Sequence, residues 1–387
     1  MNSFIPYGKQ QITQEDVDAI AAVLKSDYIT QGPVTKDFEE IFAKFIGSKY
    51  AIAVANGTAA LHLSALALDV DDKQTVITTP LTFVASANCI QYCGGQIHFA
   101  DIDPETLCID LNSIEDLLKK NRKSNYTGVI PVDFAGYPVN TESLRSIADQ
   151  YGLWILEDAC HAPGGYFLDS NSSIQHCGNG TYADLSIFSF HPVKHITTGE
   201  GGMITSNDID KIEKIRKLRI HGITREPHLL QENHGGWYYE MQELGYNYRI
   251  TDFQCALGIS QLKRADENLA RRKKIAEKYT EAFAGFDFIK TPAIRNNVSH
   301  AWHLYVIQVP DRKGLYDYLR SQQIFTQVHY IPVHLQPYYK NLGWKKGDFP
   351  NAEKYYEQCL SIPMYAGLTD DEQSYTIRKI LEFYNVA

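Results

Sequence analysis

The chain has 387 residues, 44% hydrophobic and 21% charged, the proportions of an ordinary globular protein with room for two or three domains. Its 37 Lys and Arg against 46 Asp and Glu leave a net charge of −9, which on average repels phosphate backbones and argues against duplex nucleic acid as the main partner. The first 20 residues hold no apolar stretch and no run of about 18 apolar residues occurs, so neither a targeting leader nor a membrane span is expected. The seven cysteines are scattered and form no Cys-x-x-Cys pair, so a cytoplasmic protein with reduced thiols and no membrane span is expected.

Residues 13–26 read as a helix, with Thr13 and Asp16 spaced as a capping box and Val17, Ile20 and Leu24 at helical intervals. A second helix follows Pro33, carries Phe38, Ile41, Phe42 and Phe45 on one face, and stops at Gly47. Short apolar runs then appear at 50–54, 75–79, 96–100, 128–132, 153–157, 184–188 and 202–205. Helix-like stretches at 58–68, 82–93 and 140–151 fall between them. Short buried strands alternating with helices indicate a mainly parallel sheet covered on both faces, with its ligands outside the carboxyl ends of the strands. Beyond about residue 250 the pattern predicts a long charged helix over 253–284, where 271–274 (RRKK) marks a solvated face. Strands at 301–309 and 324–330 and helices near 314–322, 351–359 and 370–384 then make a smaller α+β unit.

The polar residues at the predicted strand ends carry the chemistry. Asn56-Gly57-Thr58 opens a helix directly after a strand, and free N–H groups beside a glycine at a helix N-terminus suit a phosphate. Asp158 follows the run at 153–157 as a carboxylate that needs a partner, either a local cap or salt bridge or a cationic ligand atom. Lys194 lies between two strands among turn formers and glycines, in FHPVKHITTGEGG, where desolvation would lower its pKa and make it a nucleophile. A phosphate cradle, an aspartate able to face a ring nitrogen and a lysine able to form an imine are the protein elements that pyridoxal 5'-phosphate requires.

In order along the chain, NGTAALHL (56–63), TPLTFVASAN (79–88), FADID (99–103), PVDFAGYP (131–138), EDACHA (157–162), FSFHPVKHITTGEGGMI (188–204) and GYNYRITDFQCALG (245–258) resemble the DegT/DnrJ/EryC1/StrS family of sugar-nucleotide aminotransferases. The resemblance implies an α/β, fold-type I, aspartate aminotransferase-like architecture, with a large cofactor-binding domain over 1–258 and a small C-terminal α+β domain over 259–387. It also implies roles for particular residues. Lys194 would carry the cofactor and Asp158 would pair with its ring nitrogen. Gly57, Thr58 and Ser189 would bind the phosphate, Phe83 would stack on the ring, and His161 would lie near the phenolic oxygen. Asn247 would reach the cofactor of a neighbouring subunit, so that a homodimer shares its active sites.

L-Glutamate is the implied amino donor. SDYITQGP (26–33), HGITR (221–225) and TQVHYIPVHLQPYYKNLGW (326–344) resemble the branch of the family that aminates C4 of a UDP-4-keto-6-deoxy-N-acetylhexosamine in pseudaminic acid synthesis. Tyr28, Thr30, His329, Tyr330 and His334 are the candidates for the sugar-nucleotide pocket, with ordinary loop packing as the competing reading. A 4-aminotransferase for a D-configured keto sugar is the nearest rival. A non-catalytic cofactor-binding regulator and a sugar dehydratase, in which histidine replaces the lysine, are others. Cys89, Cys93 and His98 are near in sequence, but the two cysteines fall on a predicted helix and read as packing thiols, so no metal is expected.

Overall fold

The computed structural model describes residues 4–121 and 125–386. Seven strands form its central sheet: β1 (Tyr50–Val54), β2 (Thr75–Thr78), β3 (Gln96–Phe99), β4 (Tyr126–Ile130), β5 (Trp154–Asp158), β6 (Leu185–Ser189) and β7 (Gly202–Ser206). Their spatial order is β1-β7-β6-β5-β4-β2-β3. All neighbours run parallel except β7, which is antiparallel to both β1 and β6. All seven sequence-predicted runs are therefore strands of one sheet.

Alternate side chains of these strands serve two different cores, as a sheet buried on both faces requires. Ile52, Val54, Leu156, Ile187 and Ile204 pack with the helix Gly57–Ala67 on one face. Ala51, Ala53, Phe188 and Met203 meet Phe38 and Phe42 of the helix Pro33–Ile46 on the other. That helix begins with Pro33 in its first turn and ends where Gly47 takes a left-handed φ of 85°, as its sequence signals predict. The capping box of Thr13 and Asp16 also forms, and Asp16 accepts from Gln261 Nε2 (2.8 Å) and pairs with Arg264.

A second core gathers Ile275, Tyr279, Tyr305, Leu315, Leu360 and Ile380 with Ile5 from near the other end of the chain. Tyr339, Phe349 and Tyr355 pack into the sheet's core instead. The expected division after residue 258 falls inside the helix Asp252–Leu262.

Four expectations for this half of the chain are corrected. The long helix over 253–284 is two helices, Asp252–Leu262 and Ala265–Phe283, which separate at Lys263 and Arg264. Neither proline nor glycine marks the break; Arg264 is held there by Asp16 and by the carbonyl of Gln11, contacts from the far end of the chain. The strand over 324–330 is only Ile324–Phe325, paired with Ile5–Pro6, and that over 301–309 is Tyr305–Gln308. Its antiparallel partner, Cys359–Ile362, begins where a helix was expected to end.

The fourth correction concerns RRKK. Arg272 is 3% exposed and donates Nη1 to the carbonyls of Trp302 (3.0 Å) and Met364 (3.1 Å), and burial lowers its pKa to about 10. A helix presents one residue in three or four to its core regardless of its neighbours' charge. Arg272→Leu is expected to lower stability by about 2–4 kcal/mol, because buried carbonyls lose their donor. A thermal melt checks this: a change within about 0.5 kcal/mol is what a solvated face would give. No helix among the described residues is long and apolar enough to cross a membrane.

Candidate active site

The carboxyl ends of β1, β5 and β6, together with the turn after β2, converge on one cleft. After β1, Asn56 caps the helix Gly57–Ala67 by accepting the N–H of Ala59 at 2.8 Å. The first two N–H groups of that helix, on Gly57 and Thr58, have no intrahelical acceptor. A Cβ built on Gly57 would lie 3.1 Å from the Ser189 Cβ and 3.4 Å from its Oγ, so the hydroxyl at the end of β6 sits beside these donors. Gly202 makes the close approach possible, since a Cβ there would come within 2.6 Å of the Asn56 carbonyl. Two N–H donors, a hydroxyl and a helix N-terminus fit a phosphate.

Asp158, the last residue of β5, is 5% exposed. Its Oδ2 accepts from Ser86 Oγ (2.7 Å) and its Oδ1 from the N–H of Cys160 (3.2 Å). Ser86 is a neighbour of Asp158 that sequence reading missed: it lies within TFVASAN, but only folding brings it across 72 positions to Asp158. Lys194 is half-buried. Desolvation lowers the ammonium pKa below the ordinary lysine value, partly offset by Cys160 and Asp158.

Histidines line the cleft around Lys194. Burial first, and Lys194 as a further cause, hold His161, His195, His303 and His329 neutral, with His329 at about 3. His303 was not singled out from sequence, because a lone histidine in a strand-like run carries no local signal. His161 accepts the N–H of Ala135 at Nδ1 (3.2 Å), so its Nε2 carries the hydrogen and donates to the Tyr330 hydroxyl (3.2 Å). The Tyr330 ring lies 6.2 Å from Phe83, which stays 56% exposed beside this buried cluster, an open aromatic face to which a planar ring can stack.

The remaining predicted residues are placed differently from one another. His329 is buried, with Nδ1 at 2.8 Å from Ser361 Oγ. His334 is corrected: it is fully buried, hydrogen-bonded to Glu353 (2.9 Å) and packed 4.8 Å from the Phe349 ring, so it lines no open pocket. Tyr28 is 59% exposed, and the neighbouring Thr30 is bridged through its backbone to Thr251. Asn247 is exposed, with its backbone bridged to Ile220. Cys89 is buried, with its thiol on the carbonyl of Ser86, and His98 pairs with Tyr126.

Comparison with known proteins follows this geometry. The model of the DegT/DnrJ/EryC1/StrS aminotransferase family matches residues 10–381. The spore coat polysaccharide biosynthesis protein SpsC of Bacillus subtilis is 39% identical, over 96% of this chain and 95% of its own. A UDP-4-amino-4,6-dideoxy-N-acetyl-beta-L-altrosamine transaminase of Campylobacter jejuni is 38% identical, over 93% and 92%. The solved structure of Helicobacter pylori PseC, an aminotransferase of pseudaminic acid biosynthesis, superposes with a TM-score of 0.88 at 29% identity, covering all of both chains.

Proposed function

The chain belongs to the DegT/DnrJ/EryC1/StrS aminotransferase family, whose members are pyridoxal 5'-phosphate-dependent sugar aminotransferases, and from that premise we propose its substrate and the roles of its residues. It transfers the amino group of L-glutamate to C4 of UDP-2-acetamido-2,6-dideoxy-β-L-arabino-hex-4-ulose, giving UDP-4-amino-4,6-dideoxy-N-acetyl-β-L-altrosamine for pseudaminic acid. The observation that carries the catalytic part is the phosphate cradle of Gly57 and Ser189 beside Cys160 and Asp158, with the Asp158 carboxylate acting electrostatically on the desolvated amine of Lys194. The sugar rests on the likeness to the Campylobacter transaminase and to PseC.

When bound, pyridoxal 5'-phosphate supplies a conjugated ring that accepts the electron pair left on a carbon that has lost its proton. Asp158, oriented by Ser86 and Cys160, holds the ring nitrogen protonated. Gly57, Thr58 and Ser189 would hold the phosphate, and Phe83 would offer its exposed ring for stacking. His161, fixed in its Nε2–H form by Ala135 and paired with Tyr330, would serve the phenolic oxygen. Lys194 Nζ would hold the cofactor at rest. During turnover it removes the α-proton of the donor and returns it, as general base and then acid. Its desolvation leaves a larger fraction of free amine at neutral pH than a surface lysine has.

The cleft is completed in a homodimer by Asn247 of the neighbouring subunit. The segment around it supports this: Trp237, Met241 and Leu244 are 75%, 64% and 78% exposed, more apolar surface than a lone hairpin leaves to water. Tyr28, Thr30, His329 and Tyr330 serve the sugar nucleotide. The reaction belongs in the cytoplasm, in keeping with seven free thiols.

A D-configured keto sugar is the second reading, kept because the likeness to the altrosamine transaminase, at 38% identity, is no greater than that to a spore coat polysaccharide biosynthesis protein at 39%. To separate the two, the enzyme is first aminated with L-glutamate and the released 2-oxoglutarate is measured. The L-configured and D-configured UDP-4-keto sugars are then offered separately, and the amino sugar is weighed by mass spectrometry. Product from the L sugar alone is expected. Product from the D sugar alone transfers the enzyme to the second reading, and no 2-oxoglutarate in the first step overturns the reaction.

A further inference from the structure

On the opposite face of the strand end that bears Asp158 lie Asp133, Glu157 and Cys177, at 0%, 4% and 2% exposure, with one oxygen or sulfur of each within 4.8 Å of the others. Successive side chains of a strand point to opposite faces. Asp158 therefore meets Ser86 and Cys160, while Glu157 Oε2 accepts from Ser186 Oγ (2.7 Å) and the N–H of Gly178 (3.0 Å). Asp133 Oδ1 accepts the N–H of Val139 at 2.8 Å, but its Oδ2, fully buried, has no N–H or O–H donor among the described residues, only the weak thiol of Cys177 beside it. The titratable groups facing the pair are Asp158 from β5, Cys177, Cys108 and Cys160, and none of these is a cation. Two carboxylates this close, out of water and without a counter-charge, do not both ionise.

We propose that Asp133 and Glu157 share one proton at neutral pH, carried on Asp133 Oδ2 and donated to Glu157, and that this acid pair positions the strand end bearing Asp158. The backbone supports that role. The Asp133 N–H donates to the Asp158 carbonyl (3.1 Å), and the Asp158 N–H donates to the Pro131 carbonyl (2.9 Å). The same turn offers the Ala135 N–H that sets the tautomer of His161. Desolvation, and then Glu157, push the Asp133 carboxyl well above the usual range. One proton thus reduces three negative charges at one strand end to two, and holds the 133–139 turn against β5. Ionising Asp133 at alkaline pH sets the two carboxylates against each other and loosens both neighbours. Asp133 and Glu157 are positioning residues, and the reading above is used only for the importance of Asp158.

Infrared difference spectroscopy of the full-length protein, wild type minus Asp133→Asn at neutral pH, reads the proton directly. A protonated-carboxyl C=O band sensitive to H/D exchange is expected in the wild type, with or without cofactor, and is lost in the variant. Equilibrium dialysis of pyridoxal 5'-phosphate supplies the second readout. Wild-type affinity should fall at least about tenfold across the alkaline limb, while Asp133→Asn, whose amide donates to Glu157 at any pH, should stay within about twofold. The proposal is overturned by a wild type with no such band, by an Asp133→Asn alkaline limb like that of the wild type, or by a stoichiometric metal ion that Cys177→Ser removes. Should Asp133→Asn fail to fold, the pH titration of the wild-type band decides alone. Because that band is independent of substrate, its loss and a failure of the proposed reaction are told apart.

Discussion

Lys194→Ala is expected to lower amine transfer from L-glutamate by at least about 10³-fold while leaving the fold intact. General acid–base catalysis by a positioned side chain contributes about 10²–10⁴-fold, and among the described residues no other amine is placed to replace this one in the cleft. The histidines around it are held neutral by desolvation and already spend their hydrogens: His161 on Tyr330, and His195 on the carbonyl of Ala301 at 2.7 Å. The check is steady-state release of 2-oxoglutarate beside a thermal melt.

The same substitution carries a pH signature. The folded pKa of Lys194 lies below its unfolded value, so the unfolded chain binds more protons and this lysine opposes folding at low pH. That penalty is relieved as pH rises between the two values. Lys194→Ala should therefore melt no lower than the wild type at neutral pH, and the difference should shrink toward alkaline pH. A variant that melts much lower would mean a structural role for the lysine. In the wild type, the rising limb of activity should lie below the ordinary lysine range, set by the free amine.

Asp158→Ala is the second large effect: a loss of at least about 10²-fold in turnover, accompanied by weaker retention of pyridoxal 5'-phosphate. Its carboxylate accepts from Ser86 and Cys160; in the variant the Cys160 N–H loses this acceptor, while the Ser86 hydroxyl is left to Thr82 Oγ1 and the Phe83 carbonyl. Asp158→Asn separates charge from shape, since the amide fills the same space without the negative charge. If charge at the ring nitrogen is what matters, the Asp158→Asn variant should bind cofactor better than the Asp158→Ala variant yet turn over about as slowly. Near-normal turnover in either variant would remove the electrostatic role assigned to Asp158. Ser86→Ala, which removes only the hydroxyl, should cost about tenfold or less.

These residues differ in how they became legible. Asn56-Gly57-Thr58, Asp158, Ser189 and Lys194 each follow an apolar run closely, so strand register alone puts them on one rim of a parallel sheet. The helix starts at Thr13 and Pro33 and the stop at Gly47 were legible for a similar reason, because caps act within a few residues. Ser86, His303, Arg272 and the Asp133–Glu157 pair left no comparable signal. Arg272 looks like its charged neighbours in RRKK until the carbonyl of Met364, 92 positions away, is found against its guanidinium. His334 looked like a sugar-pocket residue because its motif holds His329 and Tyr330, yet Glu353 turns it into the core. Similarly, the break at Lys263–Arg264 follows from Asp16, 248 positions earlier.

Hydrophobic periodicity, caps and strand-end motifs were enough for the class of fold, the order of the sheet's elements along the chain and the rim on which the chemistry sits. They report interactions that close within one turn or one strand, whose geometry local backbone rules constrain. Which polar groups are buried, which of them share a proton and which tautomer His161 adopts were decided only by packing. These depend on desolvation and on donors and acceptors brought together across long stretches of chain, and such pairings exist only once the sheet is covered on both faces.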